Sequence, residues 1–319
     1  MMDSSINDFL DMEVQKEDEQ SVTKALLQAG ASEFQTVNPP SLFLSVDDWN
    51  NSPYHQAIHL EDIQDEHFSY EKMLFAGNRL FNADVVQKDE NRMLKDWMKL
   101  RAMDKDFEAI ALFQDEEDWM MDVPSEAITN DPYAAKAHGN VLTMGLGIGY
   151  FMFMALRNPS VKSITCIERS KEVIRMFQNH ILPQFPKDKE IHIIEGDAFD
   201  YWNESFLNTY DYVYVDIWQS SDDGLSIITK LLEQYEPSFD QTDFWIEDSC
   251  HSLMWSLSFL YFDALAHYTN VQITKDARPY MKKIRAYYEA IDETIKDEKQ
   301  LQFLIYDTKT IRHILATKV

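Results

Sequence analysis

The stretch Asn140-Val-Leu-Thr-Met-Gly145-Leu-Gly147-Ile-Gly149-Tyr150 decides the fold of this chain. It holds three of the eight glycines of a 319-residue sequence within five residues, directly after an apolar run and before a helical one. Glycine at alternate positions lets a chain that leaves a strand turn sharply into a helix, and it keeps side chains away from backbone amides that a ligand could approach. The stretch is therefore typical of a loop that binds a phosphate or a nucleoside.

The spacing of these glycines disfavours a dinucleotide cofactor. The dinucleotide fingerprint needs its third glycine three residues after the second, and here Tyr150 stands three residues after Gly147. We therefore expect neither a nicotinamide nor a flavin dinucleotide.

Three further segments read as short buried strands with an acidic residue at or just beyond the carboxyl end. They are Lys162-Ser-Ile-Thr-Cys-Ile-Glu168, Ile191-His-Ile-Ile-Glu-Gly196-Asp197-Ala198 and Tyr212-Val-Tyr-Val-Asp216, and a fifth strand is predicted at Phe244-Trp-Ile-Glu247. Strands that alternate with helices predict right-handed crossovers and a doubly wound parallel α/β sheet. Ligands of such sheets bind at the carboxyl edge, and Glu168 lies where these folds place the acid that accepts hydrogen bonds from ribose hydroxyls.

The segments between the strands support this sheet. Residues 150–157 form an apolar helical stretch that Asn158-Pro159 ends. Ser170 is a plausible N-cap for the next helix, and Val173, Phe177 and Ile181 repeat at four-residue intervals as one buried stripe before Pro183.

The glycine pattern, together with these strand ends, resembles the motifs of the class I S-adenosylmethionine-dependent methyltransferases. The resemblance implies a Rossmann-like sheet and S-adenosylmethionine as the cofactor. It also implies that Gly145, Gly147 and Gly149 line the cofactor site, with Asp197 and Ala198 beside the adenine. Each acid has a plainer alternative, which is a solvated strand end or a helix cap. Cys166 and His192, which lie within strands, are expected to be structural.

A wider resemblance covers residues 107–250. The runs Trp119-Met-Met-Asp-Val-Pro124 and Ala135-Lys-Ala-His-Gly139, followed by the glycine loop, look like a group of uncharacterised bacterial proteins related in layout to spermidine synthases. The chain departs from those synthases in two places, because Ile148 replaces the aspartate of their loop and Gln219 lies three residues after Asp216. Aminopropyl transfer is therefore disfavoured, although Asp222 and Asp223 could still attract an amine.

The remaining interpretation is methyl transfer to a small-molecule acceptor. The fourth strand end reads Asp216-Ile-Trp-Gln219 rather than the Asn/Asp-Pro-Pro-Tyr of amino-methylating enzymes that act on nucleic acids or glutamine. Asp216 is the predicted base, although a hydrogen bond to a loop is an equal alternative for it, and Trp218 could pack against the acceptor. An aminopropyltransferase and a non-catalytic nucleoside-binding module are the other hypotheses.

Composition limits the partners and the setting. The formal charge is −26, and residues 1–138 carry 29 acidic against 11 basic side chains, so −18 of it precedes the glycine loop. No basic cluster is available to neutralise phosphates, so we expect no nucleic acid partner. Two cysteines, no charged-then-apolar leader and no apolar run long enough to span a bilayer predict a cytoplasmic protein without a membrane partner. No metal site is predicted, and a homodimer is left open.

The sequence divides into four predicted regions. Residues 1–40 form an acidic arm that could be loosely packed, and residues 41–132 form an α+β region with a hairpin near 107–124 that could overhang the cofactor cleft. Residues 133–250 form the nucleotide-binding core, and residues 251–319 are mainly helical. Within these regions the pattern predicts helices at 71–84, 91–103, 134–138, 253–267 and 281–292, a break at Asp131-Pro132, and a candidate strand at 302–306.

Overall fold

The computed structural model describes residues 5–88, 96–270, 272–291 and 295–319, and its elements are numbered in chain order. The strands are β1 (Phe43–Leu44), β2 (Ile63–Asp65), β3 (Phe68–Phe75), β4 (Phe81–Asn82), β5 (Gln87–Lys88), β6 (Asp96–Trp97), β7 (Leu100–Met103), β8 (Phe107–Gln114), β9 (Glu117–Met121), β10 (Gly139–Met144), β11 (Val161–Glu168), β12 (Glu190–Glu195), β13 (Tyr212–Val215) and β14 (Thr242–Phe244). The helices are α1 (Glu19–Ala29), α2 (Val46–Asn50), α3 (Pro53–Ala57), α4 (Pro124–Lys136), α5 (Tyr150–Arg157), α6 (Lys171–Met176), α7 (Ala198–Tyr201), α8 (Glu204–Leu207), α9 (Ser221–Gln234), α10 (Glu247–Cys250), α11 (Ser252–His267), α12 (Arg278–Ala290), α13 (Glu298–Tyr306) and α14 (Thr308–Ala316).

The predicted doubly wound α/β sheet is confirmed. Strands β10 to β14 form a five-stranded sheet in the order β12-β11-β10-β13-β14, and every neighbouring pair is parallel. Numbered within the sheet, this order is 3-2-1-4-5, the Rossmann-like arrangement in which the direction of winding reverses beside the first strand. Strand β13, beside the central strand β10, is fully buried, as expected when helices cover both faces of a parallel sheet.

The helices beside the first two strands follow the sequence closely. Helix α5 begins at Tyr150 directly after Gly149 and ends at Arg157. The Ser170 hydroxyl accepts a hydrogen bond from the backbone N–H of Val173 at 3.2 Å, which confirms the predicted N-cap. The chain then continues from α6 through a π-helical turn, and the predicted stripe of Val173, Phe177 and Ile181 is completely buried.

The predicted fifth strand is wrong in its bounds. Strand β14 ends at Phe244, and Ile246 has a left-handed backbone with φ of +43°. Because a β-branched residue is rarely left-handed, the turn here is set by tertiary packing rather than by local preference. Helix α10 then begins at Glu247, which the sequence had assigned to the strand.

The two helices predicted in the N-terminal region are also wrong where the structure describes them. Residues 71–84 include most of β3, which pairs with β8 along its whole length, from Phe68 opposite Gln114 to Phe75 opposite Phe107. Good helix formers in this segment are overridden by that antiparallel partner, which lies more than thirty residues away. Of the segment 91–103, residues 100–103 form the buried strand β7, and residues 91–95 lie outside the described residues.

The hairpin predicted near 107–124 is confirmed. Strands β8 and β9 pair in antiparallel fashion, and the turn residues Asp115 and Glu116 both have positive φ, at +49° and +71°. Two consecutive left-handed residues are the geometry of the two-residue turns that match the twist of a hairpin.

The predicted break at Asp131-Pro132 and the separate helix at 134–138 are wrong. Helix α4 runs continuously from Pro124 to Lys136 with Pro132 inside it. A proline removes one backbone hydrogen bond, but this helix packs against α5 and buries Ala127 and Ala134. That burial holds the helix together across the proline.

The C-terminal part is mainly helical in the described residues. Helix α11 covers the predicted 253–267, and α12 covers the predicted 281–292 as far as Ala290, with Asp292 outside the described residues. The candidate strand at 302–306 is wrong, because this segment belongs to α13, which begins after the N-cap Asp297. None of the described helices is long and apolar enough to cross a membrane.

Residues from the first forty contribute to a second small core. Val14, Leu26 and Phe34 pack with buried residues that include Leu42 and Leu100. The predicted domain boundaries, including an arm at residues 1–40, stay predictions.

Arg312 joins the C-terminal helix α14 to the end of the central sheet. Its guanidinium donates to both carboxylate oxygens of Glu247, at 2.7 and 2.6 Å, and to the backbone carbonyl of Thr242 at 2.9 Å. The arginine is 2% exposed and the glutamate 7%.

We predict that Arg312→Met lowers the free energy of unfolding by about 3–5 kcal/mol, because it leaves the Glu247 carboxylate buried without its partner. The double variant Arg312→Met with Glu247→Gln should recover part of this loss, since no unpaired charge remains. Urea unfolding of both variants measures the difference. Equal destabilisation in the single and double variants would contradict the explanation.

Candidate functional site

A cavity of about 490 Å³ lies at the carboxyl edge of the central sheet. Six of the seven predicted site residues line it, namely Gly145, Gly147, Glu168, Asp197, Ala198 and Asp216. The seventh, Gly149, is not among the lining residues and instead lies at the start of α5. The opposite wall includes Trp119, Met120 and Met121 of the hairpin, so β9 overhangs the cavity as the sequence suggested.

At two glycines of the loop, other atoms of the protein lie so close that an added side chain would collide with them. Gly145 has a φ of +99°, and a Cβ there would lie 1.8 Å from the backbone carbonyl oxygen of Asp216. At Gly147 a Cβ would lie 2.2 Å from the sulfur of Met120. The loop is thus pressed against the end of β13 on one side and against the hairpin on the other.

The loop amides are held by the protein itself. The backbone N–H of Leu146 donates to Glu168 at 3.1 Å, and that of Ile148 donates to the sulfur of Met120 at 3.2 Å. The hydroxyl of Tyr54, which is 1% exposed, donates to the carbonyl of Ile148 at 2.7 Å. A residue from the first sixty therefore fixes the loop, which gives the N-terminal region a structural role at the site.

Glu168, at the carboxyl end of β11, accepts hydrogen bonds from the protein's own backbone. It is 8% exposed, and its carboxylate also accepts from the backbone N–H of Ser170 at 2.7 Å. Burial raises the pKa of this carboxyl, and the hydrogen bonds from Ser170 and Leu146 offset part of the rise. An ionised carboxylate accepts about four hydrogen bonds, so the two occupied positions leave two for the hydroxyls of a ribose. The geometry fits a ribose ligand, and that role stays a prediction.

Asp197 and Ala198 lie together on the cavity wall. The Asp197 side chain accepts from the backbone N–H of Phe199 at 2.9 Å and caps α7, which is the plainer alternative for this residue. One carboxylate oxygen carries that bond, so the second is available to an exocyclic amino group. Contact with an adenine stays a prediction.

Asp216 lies directly after β13 at the centre of the cavity edge. In the described part of the chain, its carboxylate makes no hydrogen bond and no ion pair. Burial raises the pKa of this carboxyl from 3.8 to about 7. The structure therefore does not support the alternative in which Asp216 only bonds a loop.

Asp122 and Glu126 line the same cavity and were missed by the sequence analysis. Asp122 is 6% exposed and its Oδ2 lies 2.8 Å from Nε2 of His55. The other ring nitrogen of His55 lies 3.0 Å from the carbonyl oxygen of Trp49 and 2.5 Å from the hydroxyl oxygen of Ser52. The only sequence signal for Asp122 was an acid at a strand end two residues before Pro124, and only the fold brings it into the same cavity as Asp216.

Glu126 lies in the first turn of α4 and has no hydrogen bond to its carboxylate among the described residues. Burial raises the pKa of this carboxyl well above its usual range, and the charges of Asp216 and Asp122 raise it further. Asp122, Glu126 and Asp216, from three separate parts of the fold, therefore line the cavity in addition to Glu168, Asp197 and Asp223.

No protein-family model matches the sequence, and no curated protein sequence matches it. Three solved structures are similar to part of this chain. A provisionally named S-adenosylmethionine-dependent methyltransferase from Streptococcus mutans is 15% identical, with 44% of this chain and 37% of that chain covered and a TM-score of 0.29. The Rickettsia typhi protein PKMT2 in complex with AdoHcy is 14% identical, with 57% and 35% covered and a TM-score of 0.24.

The third structure is the shikimate dehydrogenase of Mycobacterium tuberculosis, which is 11% identical, with 56% of this chain and 59% of that chain covered and a TM-score of 0.23. The match spans about a third of the length of the first two structures. Similarity at these TM-scores does not distinguish one function from another.

We predict that Asp216→Asn stabilises the protein increasingly as the pH rises. Because the folded pKa lies above the unfolded value, ionisation of Asp216 removes stability from the folded state between about pH 4 and about pH 7. The variant should gain about 1.5 kcal/mol near pH 5 and about 4 kcal/mol near pH 8. Urea unfolding at the two pH values measures the gain, and a pH-independent gain would contradict the assignment.

We also predict that Gly145→Ala is much more destabilising than Gly30→Ala. Both positions have a left-handed backbone, but a Cβ at Gly30 has no atom within 4 Å. Gly30→Ala should therefore lose only the backbone strain, about 1–2 kcal/mol. Gly145→Ala adds a backbone clash and should lose at least about twice as much. Chemical unfolding measures both, and equal losses would mean that the contact with Asp216 relaxes freely.

Proposed function

We propose that this protein is an S-adenosylmethionine-dependent methyltransferase that acts on a small-molecule acceptor. The observation that carries the proposal is a single cavity lined by the glycine loop, Glu168 and Asp197 at the carboxyl edge of the sheet. This is the edge at which open α/β folds bind nucleotides, beside the strand where the winding reverses. The cavity volume lies in the range of small-molecule sites.

The residues divide the cavity between cofactor and acceptor. Glu168 would hold the ribose, Asp197 and Ala198 would lie beside the adenine, and the loop residues Gly145 and Gly147 would lie under the nucleoside. S-adenosylmethionine would supply a methyl group already activated on a sulfonium. The chain then contributes position and the exclusion of water, since the hairpin covers the cavity.

Asp216 is the proposed base for the proton that the acceptor releases. A carboxyl with a pKa of about 7 is half ionised at neutral pH. It is therefore available as a carboxylate and basic enough to take a proton. Its carboxylate has no competing partner in the described residues, which supports this role.

Two alternatives keep specific support. An aminopropyltransferase, as in the spermidine-synthase-like group, would use the acidic wall of the cavity to bind an amine. Asp223 accepts from the backbone N–H groups of Gln219 and Ser220 and caps α9, so the acids after the fourth strand already serve the fold. Tighter binding of decarboxylated S-adenosylmethionine than of the parent compound would favour this alternative.

A non-catalytic nucleoside-binding module is the second alternative, because the sequence after β13 carries no recognised catalytic motif. Tight binding of S-adenosylhomocysteine without turnover in a broad acceptor screen would favour it. A single methylated product would eliminate it.

We predict that Glu168→Ala weakens the binding of S-adenosylhomocysteine by about 2–4 kcal/mol, or roughly 30- to 1000-fold, through loss of two charge-assisted hydrogen bonds. Titration calorimetry measures the affinity. Glu195→Ala is the matched control, because Glu195 lies opposite Glu168 on β12 but does not line the cavity.

Glu168 also holds the glycine loop, so the melting temperature of each variant must be compared with its affinity. If Glu168→Ala binds S-adenosylhomocysteine as tightly as the native protein, the ribose role is removed. A native protein that binds neither S-adenosylmethionine nor S-adenosylhomocysteine would overturn the proposed function itself.

A further inference from the structure

We propose that the acceptor is a small organic ammonium ion, held between the carboxylates of Glu126 and Asp216 and beside Asp122. This inference rests on the proposed function and specifies the substrate class of the same cavity. The three acids come from the end of the hairpin, the first turn of α4 and the end of β13. They converge only in the folded chain, and all three line the cavity.

The charges of Glu126 and Asp216 are not neutralised by the protein. In the part of the chain that the structure describes, Asp122 has His55 as a partner, whereas Glu126 and Asp216 have neither a hydrogen bond nor an ion pair to their carboxylates. Arg169 is the one basic side chain that lines the cavity in the described residues. Its charge acts on Glu168, where it offsets part of the rise in pKa caused by burial.

Trp218 lies between the cavity and helix α9, and its indole N–H faces Gly224 rather than open cavity space. It lines the cavity and is 5% exposed, yet its indole N–H has no hydrogen-bond partner among the described residues. A buried donor without a partner costs about as much free energy as a lost hydrogen bond. The neighbouring Trp245 differs, because its indole N–H donates to Thr129 at 2.9 Å.

The aromatic residues of the cavity suit a cation as well. Trp218 and Trp245 line it together with the three acids. Trp119 and Tyr214 also line it, but Arg169 lies over the ring of Trp119 at 5.7 Å and Phe151 stacks on Tyr214. Ring faces attract ammonium groups, and they do so most strongly where water is excluded. An ammonium ion with a short carbon chain would use both the carboxylates and the rings, whereas an anion would meet repulsion on this wall.

An ammonium nitrogen must lose one proton before it can act as a nucleophile. The proton passes from nitrogen to the Asp216 carboxylate, which leaves a neutral amine with its lone pair and a neutral carboxylic acid. The raised pKa of Asp216 makes this transfer less unfavourable than it would be to an ordinary aspartate. The amine lone pair would then form the N–C bond as the S–C bond of the sulfonium breaks and S-adenosylhomocysteine leaves, and Glu126 would face the positive charge that returns to the methylated nitrogen.

The test compares ammonium ions with neutral molecules of the same shape. The full chain, saturated with S-adenosylhomocysteine, is titrated near pH 7.5 with n-butylammonium, benzylammonium and 4-aminobutan-1-ol. The neutral counterparts are 1-butanol, benzyl alcohol and 1,4-butanediol. We expect calorimetry and thermal melting to detect binding of at least one ammonium ion, at least about tenfold tighter than its neutral counterpart.

Variants then locate the charge that recognises the ligand. Glu126→Gln and Asp216→Asn should each weaken the ammonium ion about 10- to 100-fold, since each removes one charge-assisted contact. Both remove a buried charge, so neither should lower the melting temperature. Asp222→Asn is the matched control, because Asp222 is exposed on α9 and does not line the cavity.

Three results would overturn the inference and leave the proposed function standing. The first is that S-adenosylhomocysteine binds but no ammonium ion does, and the second is that the alcohols bind as tightly as the ammonium ions. The third is that Glu126→Gln weakens S-adenosylmethionine but neither S-adenosylhomocysteine nor the ammonium ions, which would assign the carboxylate to the cofactor's own positive charge. Failure of both adenosyl compounds to bind the native chain is a separate result and counts against the proposed function.

Discussion

The close approach of Gly145 to the end of β13 is the constraint on which the rest of the site depends. The backbone of Gly145 passes so near the carbonyl of Asp216 that any side chain there would collide with it. This contact is possible because β10 and β13 are neighbours in the sheet although seventy residues separate them in the chain. It brings the glycine loop and Asp216 to the same edge, so that nucleoside-binding and proton-accepting groups share one cavity.

Residues of the N-terminal region form part of the cavity wall at the carboxyl edge of the sheet. Met120 lies over the glycine loop, Tyr54 holds the carbonyl of Ile148, and His55 orients Asp122 from behind. Each contact joins a residue before the core to the carboxyl edge of the sheet. The region therefore helps to form the cavity wall, and a Rossmann-like core without it would have a shallow, water-filled edge.

The sequence predicted what depends on local pattern and missed what depends on distant partners. Local strand, turn and helix signals in the sequence predicted the glycine loop, Glu168, Asp197 and Asp216. Each of them lines the cavity, although Gly149 of the loop does not. Strand β3 was misassigned because its helix-forming residues are overridden by pairing with β8. Asp122 and Glu126 were missed for a similar reason, since nothing in the run Asp122-Val-Pro124-Ser-Glu126 indicates that it will face the end of β13.

The acids of the cavity carry a cost that a purely structural wall would avoid. Burial raises the pKa of both Asp216 and Glu126, so the folded chain loses stability when they ionise, and apolar residues of similar size would pack there without that loss. A ligand that binds only the folded chain raises the free energy of unfolding, and the increase grows with the logarithm of the ligand concentration divided by its dissociation constant. A cation between the two carboxylates would stabilise the folded chain more than a neutral ligand of the same size, because it also offsets the repulsion between the carboxylates. The unpaired acids are therefore better explained as half of a binding site than as part of the core.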